Sequence, residues 1–339
     1  MDIQAAREVK RELVRTAGTQ ATEALEAPSG ALVVGVRVYG GGRFGLAVRH
    51  DGTAGAAVGA RAVELAGEDA DVVDIGVVRA LVGEGPTAPR LVGGAERVIP
   101  LRPAPQADGR WAAETLRRRE RPLRPGLSIA QEAVTAGTLG AFVRREGDPR
   151  TYVLSDNHVL ADSDRAAIGS GVLQPGPADG GTAQDAVGRL TAAAPLQVAT
   201  PNAVDAAVAV LADDVEVDAT YPVGAITATA LADDQLVVEK VGRTTGLTRG
   251  VVTAVELDGV AVGYPAGVLT FDDQVEVSGT DGAFSAGGDS GSLVYDPATG
   301  AAVGLLFAGS ERGGPEGSGL TFCNPVDAVL SALGVRLLT

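Results

Sequence analysis

The chain has 339 residues, 45% of them hydrophobic, and a formal net charge of −15. This length suits two or three domains, and the apolar content is sufficient for buried cores. The negative charge argues against a nucleic-acid-binding surface spread over the whole protein. No uninterrupted apolar run of about 18 residues predicts a membrane span.

Few side chains in this sequence can hold a metal or form a disulfide. Cys323 is the single cysteine, which excludes an internal disulfide, and His50 and His158 are the two histidines. This set is too small for the usual zinc site. Residues 1–4 lack the basic start and apolar run of a secretory signal. We therefore expect a cytoplasmic protein without a cofactor or metal.

The N-terminal part of the chain has the pattern of a small α+β unit, which we assign to residues 1–82. The predicted elements are a helix over 2–26, strands over 31–38 and 43–49 joined by glycines 40–42, a helix near 56–66 and a strand near 71–79. A Pro- and Arg-rich linker is predicted over 83–126, because seven prolines lie between Pro86 and Pro125 and proline removes backbone donors. The basic cluster 117–121 reads as a solvated face of this linker rather than an acidic-partner site.

From residue 134 onward, short apolar runs alternate with turn signals, which is typical of a β-sandwich or β-barrel. The turn signals are 147–149, 258–259 and 296–300, and Asp258-Gly259 predicts a β-hairpin between the runs on either side of it. About 190 residues of such strands are enough for two small barrels. Residues 325–334 predict a closing helix that ends at Gly334.

A glycine-flanked serine lies in the segment Gly-Gly-Asp-Ser-Gly-Ser at 287–292. Ser290 can present its hydroxyl in a tight turn there, and Gly288 can direct its backbone N–H toward a developing oxyanion. The alternative interpretation is a polar turn between strands.

A serine nucleophile needs a base, and the base needs a carboxylate that holds one tautomer. His158 follows a strand-like run and a polar turn, whereas His50 lies in the N-terminal unit and reads as a surface residue. Asp205 heads an apolar strand, where a carboxylate is costly to bury without a partner. Asp156 is a local competitor, and the acidic residues at 213–218 read as solvated.

The order His158, Asp205, Ser290 on an all-β chain resembles the trypsin-like (chymotrypsin-fold) serine peptidases. The segments L-S-D-N-H-V-L, N-A-V-D-A-A, K-V-G-R-T-T-G-L-T-R-G and G-G-D-S-G-S-L-V resemble the intracellular and bacterial narrow-leaf-type branch of that family. The resemblance covers about residues 125–335. The N-terminal unit is similar to a small domain that precedes the peptidase in some bacterial members.

This resemblance implies a mainly β protein, with a double β-barrel peptidase domain over 127–339, the N-terminal α+β domain and a C-terminal helix. It implies a serine endopeptidase that cleaves protein or peptide substrates through an acyl-enzyme, with His158, Asp205 and Ser290 as the catalytic triad. The N–H groups of Gly288 and Ser290 would form the oxyanion hole. Phe284 would lie at the base of the primary pocket, which Phe307 and Gly309 would line.

The residue types at the pocket predict a small or medium apolar substrate side chain, because no acid stands at Phe284 to favour Lys or Arg. Asp289 matches the acid that can pair with a freed N-terminus in this family. We do not expect that activation without cleavage of the linker, because about 125 residues precede the peptidase segment.

Two other functions are compatible with the same motifs. The first is a catalytically inactive binding or scaffold protein on the same fold. The second is an esterase, which is disfavoured because G-D-S-G is not the G-x-S-x-G of α/β-hydrolases.

Residues 240–250 do not form a P-loop, because no lysine follows the second glycine. The acidic pairs 213–214 and 272–273 read as solvated rather than as weak calcium sites, and the sequence leaves a homo-oligomer open.

Overall fold

A computed structural model describes residues 1–26, 32–81, 109–233 and 235–338. The N-terminal elements are α1 (Ile3–Glu26), β1 (Leu32–Gly40), β2 (Arg43–His50), α2 (Gly52–Ala66), β3 (Ala70–Asp74) and β4 (Val78–Ala80). The predicted helix, hairpin and second helix are confirmed, but the single strand predicted near 71–79 is two strands, β3 and β4, separated by residues 75–77. The β1–β2 turn runs through glycines 40–42, whose φ angles of 64–83° are left-handed and are accessible to glycine at little cost.

The first barrel is an open, curved sheet of eight strands. Its elements are α3 (Ala113–Leu116), β5 (Ser128–Gln131), β6 (Gly137–Thr138), β7 (Ala141–Arg145), β8 (Tyr152–Ser155), α4 (Asn157–Leu160), β9 (Gly171–Leu173), β10 (Ala186–Ala193) and β11 (Ala207–Leu211). A last strand from the chain's end, Val335–Leu337, pairs with β7 and completes the sheet. The predicted turn at 147–149 joins β7 to β8, which are paired.

The second barrel closes on itself. The remaining elements are β12 (Thr220–Tyr221), β13 (Gly224–Ala225), β14 (Ala228–Thr229), β15 (Val237–Gly242), β16 (Gly246–Asp258), β17 (Val260–Tyr264), β18 (Gly267–Phe271), β19 (Gln274–Gly279), β20 (Leu293–Asp296), β21 (Ala301–Ser310), β22 (Thr321–Pro325), α5 (Val326–Leu333) and β23 (Val335–Leu337). Strand pairing runs β20–β15–β16–β19–β22–β21 and back to β20. The mainly β, two-barrel class and the closing helix are therefore confirmed.

The hairpin predicted at Asp258-Gly259 is wrong. The chain turns there, but β16 pairs with β1 and β19, whereas β17 pairs with β18 and β4. Both edges of β16 are already occupied near Asp258, so the following strand cannot fold back on it. The hairpin of this region lies one strand later, where Tyr264 pairs with Gly267.

Part of the predicted linker also differs from the extended connector that its prolines indicate. Residues 83–108 lie outside the described part of the chain. Residues 109–126 include two short helical turns, and Trp111, Leu116 and Leu123 are buried in the core of the first barrel. These apolar side chains hold the segment against the sheet despite its proline and arginine content. The domain limits themselves stay a prediction.

The N-terminal unit contacts the second barrel through strand pairing and through a buried ion pair. Strand β1 pairs with β16 in antiparallel register, so the two units share one sheet. Arg49 of β2 forms an ion pair with Glu276 of β19 at 2.7 Å, and both side chains are buried. Arg49 also contacts Asp71 at 2.8 Å. Truncating one partner would leave the other charge buried and unpaired.

Arg49→Met is therefore expected to lower the free energy of unfolding by about 3–5 kcal/mol, measured by urea denaturation. The matched control is Arg43→Met, since Arg43 makes an ion pair with Asp69 in the same unit but is 60% exposed. Exposed pairs contribute little, so the control should unfold like the wild type. Equal effects of the two substitutions would contradict this account.

The contact between the barrels positions the residues of the candidate active site. A buried cluster there combines Leu154 from the first barrel with Leu293 and Leu305 from the second, and Val329 of α5 packs into it. In the described ranges, no helix combines the length and apolar character needed to cross a membrane.

Candidate active site

His158 and Asp205 lie at the same edge of the first barrel. Strand β8 ends at Ser155 and β11 begins at Ala207, and these two residues are direct register partners. The residues just beyond the paired ends therefore face each other. His158 lies on the short helix α4, and Asp205 lies in the loop that enters β11.

The imidazole of His158 is held by the Asp205 carboxylate. Nδ1 of His158 lies 2.6 Å from Oδ2 of Asp205, and the backbone N–H of His158 donates to Oδ1 at 3.1 Å. Both side chains are buried. A proton on Nδ1 is favoured by this contact, which leaves Nε2 as the basic ring nitrogen.

Two further residues fix the Asp205 carboxylate and its loop. The Tyr264 hydroxyl donates to Oδ2 of Asp205 at 2.5 Å, and the backbone N–H of Asp205 donates to the side chain of Asn324 at 2.9 Å. Burial alone raises the pKa of Asp205, but the His158 ring and the hydrogen bonds from His158 and Tyr264 outweigh it, so its pKa is lowered. Asp205 is thus the ionised carboxylate of the site.

Asp156 is a second buried carboxyl group next to His158. Its Oδ2 lies 3.8 Å from Nε2 of His158, and neither of its oxygens has a hydrogen-bond partner among the described residues. Burial raises its pKa well above the ordinary value, and the nearby Asp205 charge raises it further. Asp156 and Asp205 therefore both lie near His158, but their pKa values shift in opposite directions.

Ser290 lies in the turn between β19 and β20. Gly288 and Gly291 on either side have φ angles of 96° and 91°, a region that disfavours other residues. A Cβ on Gly291 would also lie 2.0 Å from the Ser155 hydroxyl. The turn is held from the first barrel by Thr138, whose N–H donates to the Ser290 carbonyl at 2.8 Å and whose hydroxyl donates to the Gly288 carbonyl at 2.9 Å.

The Ser290 hydroxyl is not hydrogen-bonded to His158. It donates instead to the backbone carbonyl of Phe307 at 3.1 Å, and Nε2 of His158 has no hydrogen-bond partner in the described part of the protein. The Ser290 hydroxyl still lies close enough to Asp156 to oppose the rise in the pKa of that carboxyl. The structure thus forms the predicted His–Asp contact but not a Ser–His contact, and both His158 and Ser290 lie near Asp156.

Asp289, beside the serine, has an internal cationic partner. Nζ of Lys240 lies 3.3 Å from Oδ2 of Asp289, and both side chains are fully buried. Backbone N–H groups of Thr244 and Ala286 also donate to this carboxylate, at 2.8 and 3.0 Å. These contacts anchor the turn that presents Gly288. Burial lowers the pKa of Lys240, and the Asp289 charge opposes this shift.

The three predicted pocket residues lie on the second barrel. Phe284 is buried in an apolar cluster that also contains Leu306. Phe307 and Gly309 lie on β21, and the Phe307 carbonyl accepts the Ser290 hydroxyl. Their roles in binding a substrate stay a prediction.

Sequence reasoning missed three residues at this site, namely Tyr264, Thr138 and Lys240. Each reaches the site from a distant part of the chain, and Tyr264 is 59 positions from Asp205. Lys240 carried the one usable signal, since a lysine inside an apolar strand requires a buried acidic partner. Among the described residues, no group of three or more histidine, cysteine or acidic side chains could hold a metal.

Comparison with known proteins found no matching family model and no matching curated sequence. Solved structures do match. Protease A of Thermobifida fusca has 19% identity and a TM-score of 0.45, the chymotrypsin of Cellulomonas bogoriensis 20% and 0.43, and a Nocardiopsis protease 19% and 0.45. Each match covers 64% of this chain and all of the solved chain. The chain is similar in structure to bacterial trypsin-like serine proteases, the class that its motifs resemble.

Proposed function

We propose that the protein is a serine endopeptidase in which Ser290 is the nucleophile, His158 the base and Asp205 the orienting acid. The observation that carries this proposal is the buried contact of 2.6 Å between His158 and Asp205, which leaves Nε2 of His158 without a hydrogen-bond partner among the described residues. A neutral imidazole held by a carboxylate in this way is the base that a serine hydroxyl needs.

The reaction would begin with a rotation of the Ser290 side chain away from the Phe307 carbonyl. Nε2 of His158 would then take the hydroxyl proton as Oγ attacks the substrate carbonyl, and would return it to the leaving amine. The N–H groups of Gly288 and Ser290 would stabilise the oxyanion. Catalytic hydrogen bonds are often long or misaligned before substrate binds, so the present orientation of Ser290 is compatible with activity.

The substrate would be a protein or peptide with a small or medium apolar side chain at the cleaved bond. The apolar walls of the pocket at Phe284 and Phe307 support this preference, because a charged side chain there would lose its hydration. A cytoplasmic location accompanies the proposal, since the single cysteine, Cys323, is buried and free.

An inactive scaffold on the same fold is the second candidate. It is favoured by the direction of the Ser290 hydroxyl, which donates to the Phe307 carbonyl, and by the burial of Ser290 and His158.

Labelling with a fluorophosphonate probe separates the two functions. We expect covalent labelling of the protein at Ser290 and none of Ser290→Ala, because the probe reacts with an activated serine. The control is Ser292→Ala, which removes a hydroxyl two residues away that donates to the Asp289 carbonyl. The scaffold function is supported if the probe labels neither the wild type nor Leu81→Asp, a variant intended to displace the Leu81 carbonyl from the Gly288 N–H.

Tyr264→Phe tests whether the tyrosine positions the triad. Loss of a hydrogen bond to an ionised group is expected to lower kcat about 10- to 100-fold with little change in KM. The tyrosine is expected to donate at all physiological pH values, because burial and the Asp205 charge raise its pKa well above the ordinary value. In an Asp205→Asn background the same substitution should have a much smaller effect. Equal effects in both backgrounds would show that Tyr264 acts elsewhere.

A further inference from the structure

The strand β4 of the N-terminal unit is added to the edge of the second barrel, between β21 and β17. It pairs with β21 in antiparallel register, Ala80 opposite Ala308 and Arg79 opposite Gly309, and it pairs in parallel with β17. The next residue, Leu81, donates its backbone N–H to the Phe307 carbonyl at 3.3 Å. The segment 78–81 is therefore bound as an extended strand along the edge that leads to Ser290.

The carbonyl of Leu81 lies at the predicted oxyanion hole. Its oxygen accepts the backbone N–H of Gly288 at 2.6 Å. The sequence predicts that this N–H binds the oxyanion at Ser290. The group that it binds in this structure is thus the carbonyl of the protein's own chain.

The Leu81 side chain lies at the predicted primary pocket. It packs against the apolar cluster that contains Phe284 and Leu306. It also fills the space above Gly309, where an added Cβ would lie 3.2 Å from both Leu81 Cδ atoms. All three residues predicted to form the pocket are thus associated with Leu81. The Phe307 carbonyl accepts its N–H, Gly309 faces its side chain, and Phe284 belongs to the cluster on which that side chain packs.

The residue before Leu81 is also placed as a substrate residue would be. Ala80 lines a cavity of about 200 Å³ together with His158, Thr135 and Tyr264. His158 and Ala80 thus border the same cavity. The pairing of β4, the Leu81 carbonyl, the Leu81 side chain and the position of Ala80 all indicate the same register, in which Leu81 is the residue at the cleaved bond.

We propose that the peptide bond following Leu81 is a self-processing site, and that residues 78–81 are bound as the substrate of the protein's own active site. This inference rests on the proposed peptidase function and adds its specificity: leucine at the cleaved bond and alanine before it. The N-terminal unit would be a covalent substrate before cleavage. Afterwards it would stay attached through the β1–β16 pairing and the Arg49–Glu276 ion pair.

The proposed cleavage is a hydrolysis, in which water is the second reactant. Oγ of Ser290 loses its proton to Nε2 of His158 and bonds to the carbonyl carbon of Leu81. The bond from that carbon to the next nitrogen breaks, and His158 gives its proton to the leaving amine. Water then hydrolyses the ester, which yields a carboxylate on Leu81, a new amino terminus and the original Ser290 hydroxyl.

The test follows the mass of the purified full-length chain by denaturing mass spectrometry. We expect wild type to give two fragments, one ending at Leu81, at a rate independent of protein concentration because the site is intramolecular. Ser290→Ala should stay intact. Leu81→Asp should slow cleavage at least ~100-fold, because its charge is excluded from an apolar pocket.

The matched control is Val77→Asp, since Val77 precedes β4 and is 40% exposed. It should be cleaved like the wild type. Cleavage of Ser290→Ala at the same bond, or equal cleavage of Leu81→Asp and wild type, would overturn self-processing.

Probe labelling distinguishes failure of this inference from failure of the proposed function. If the wild-type chain stays intact while the probe labels Ser290 in Leu81→Asp, self-processing is wrong and the peptidase function is supported. If the chain stays intact and neither protein is labelled, both proposals are wrong.

Discussion

Asp205→Asn is expected to lower kcat about 10⁴-fold, because an amide at this position stabilises the wrong tautomer of the catalytic histidine. The Asp205 carboxylate accepts from Nδ1 of His158 at 2.6 Å, and its pKa is lowered by that contact. The rate of peptide hydrolysis, measured on protein whose N-terminal segment has been displaced by Leu81→Asp, gives the value. A loss of less than ~10-fold would remove Asp205 from the triad.

Asp156→Asn is the matched control, since Asp156 is equally buried and lies beside the same ring. Its pKa is raised, so the folded protein holds a proton that the unfolded chain releases. The stability from this proton is present below the ordinary carboxyl pKa and is lost as pH rises through the raised value. Asparagine keeps the group neutral at every pH.

We therefore expect Asp156→Asn to retain most activity and to melt progressively higher than wild type as pH rises from about 5 to about 9. Thermal melts across this range measure the difference. If Asp156→Asn loses as much activity as Asp205→Asn, Asp156 takes part in catalysis. If its melting temperature equals that of wild type at every pH, the Asp156 carboxyl group is ionised in the folded protein.

Lys240→Met is expected to lower the free energy of unfolding by about 3–5 kcal/mol, because it leaves the Asp289 carboxylate buried without its cationic partner. The ion pair spans 3.3 Å and neither side chain is exposed. Because Asp289 anchors the turn that carries Gly288 and Ser290, peptide hydrolysis should fall as well. Urea denaturation and steady-state kinetics measure the two effects.

The control for Lys240 is the double variant Lys240→Met/Asp289→Asn, which removes both charges. Replacing a whole buried pair with neutral groups is often tolerated, so the double variant should recover much of the lost stability. If the single and double variants are equally unstable, the loss comes from packing at residue 240 rather than from the unpaired charge.

Sequence reasoning identified the features that depend on local pattern. The helix α5 and its end at Gly334 follow from apolar periodicity and a glycine that adopts a left-handed conformation. The turn at Ser290 follows from glycines that the backbone requires. The sequence also predicts Asp205 as the partner of His158, because an acid at the head of an apolar strand is costly to bury alone, and the two side chains are in contact.

Partner choice between distant segments was decided by the tertiary structure alone. The apolar runs around Asp258 predict strands, but which strands pair depends on the edges of β16 that β1 and β19 already occupy. The position of Leu81 could not be predicted from the sequence for the same reason, because it depends on pairing between distant segments. Leu81 is more than 200 residues from Ser290 in the chain, and one backbone hydrogen bond joins its carbonyl to Gly288. Backbone donors and acceptors are alike in every residue, so the sequence specifies strands, whereas only the packed structure determines which carbonyl meets which N–H.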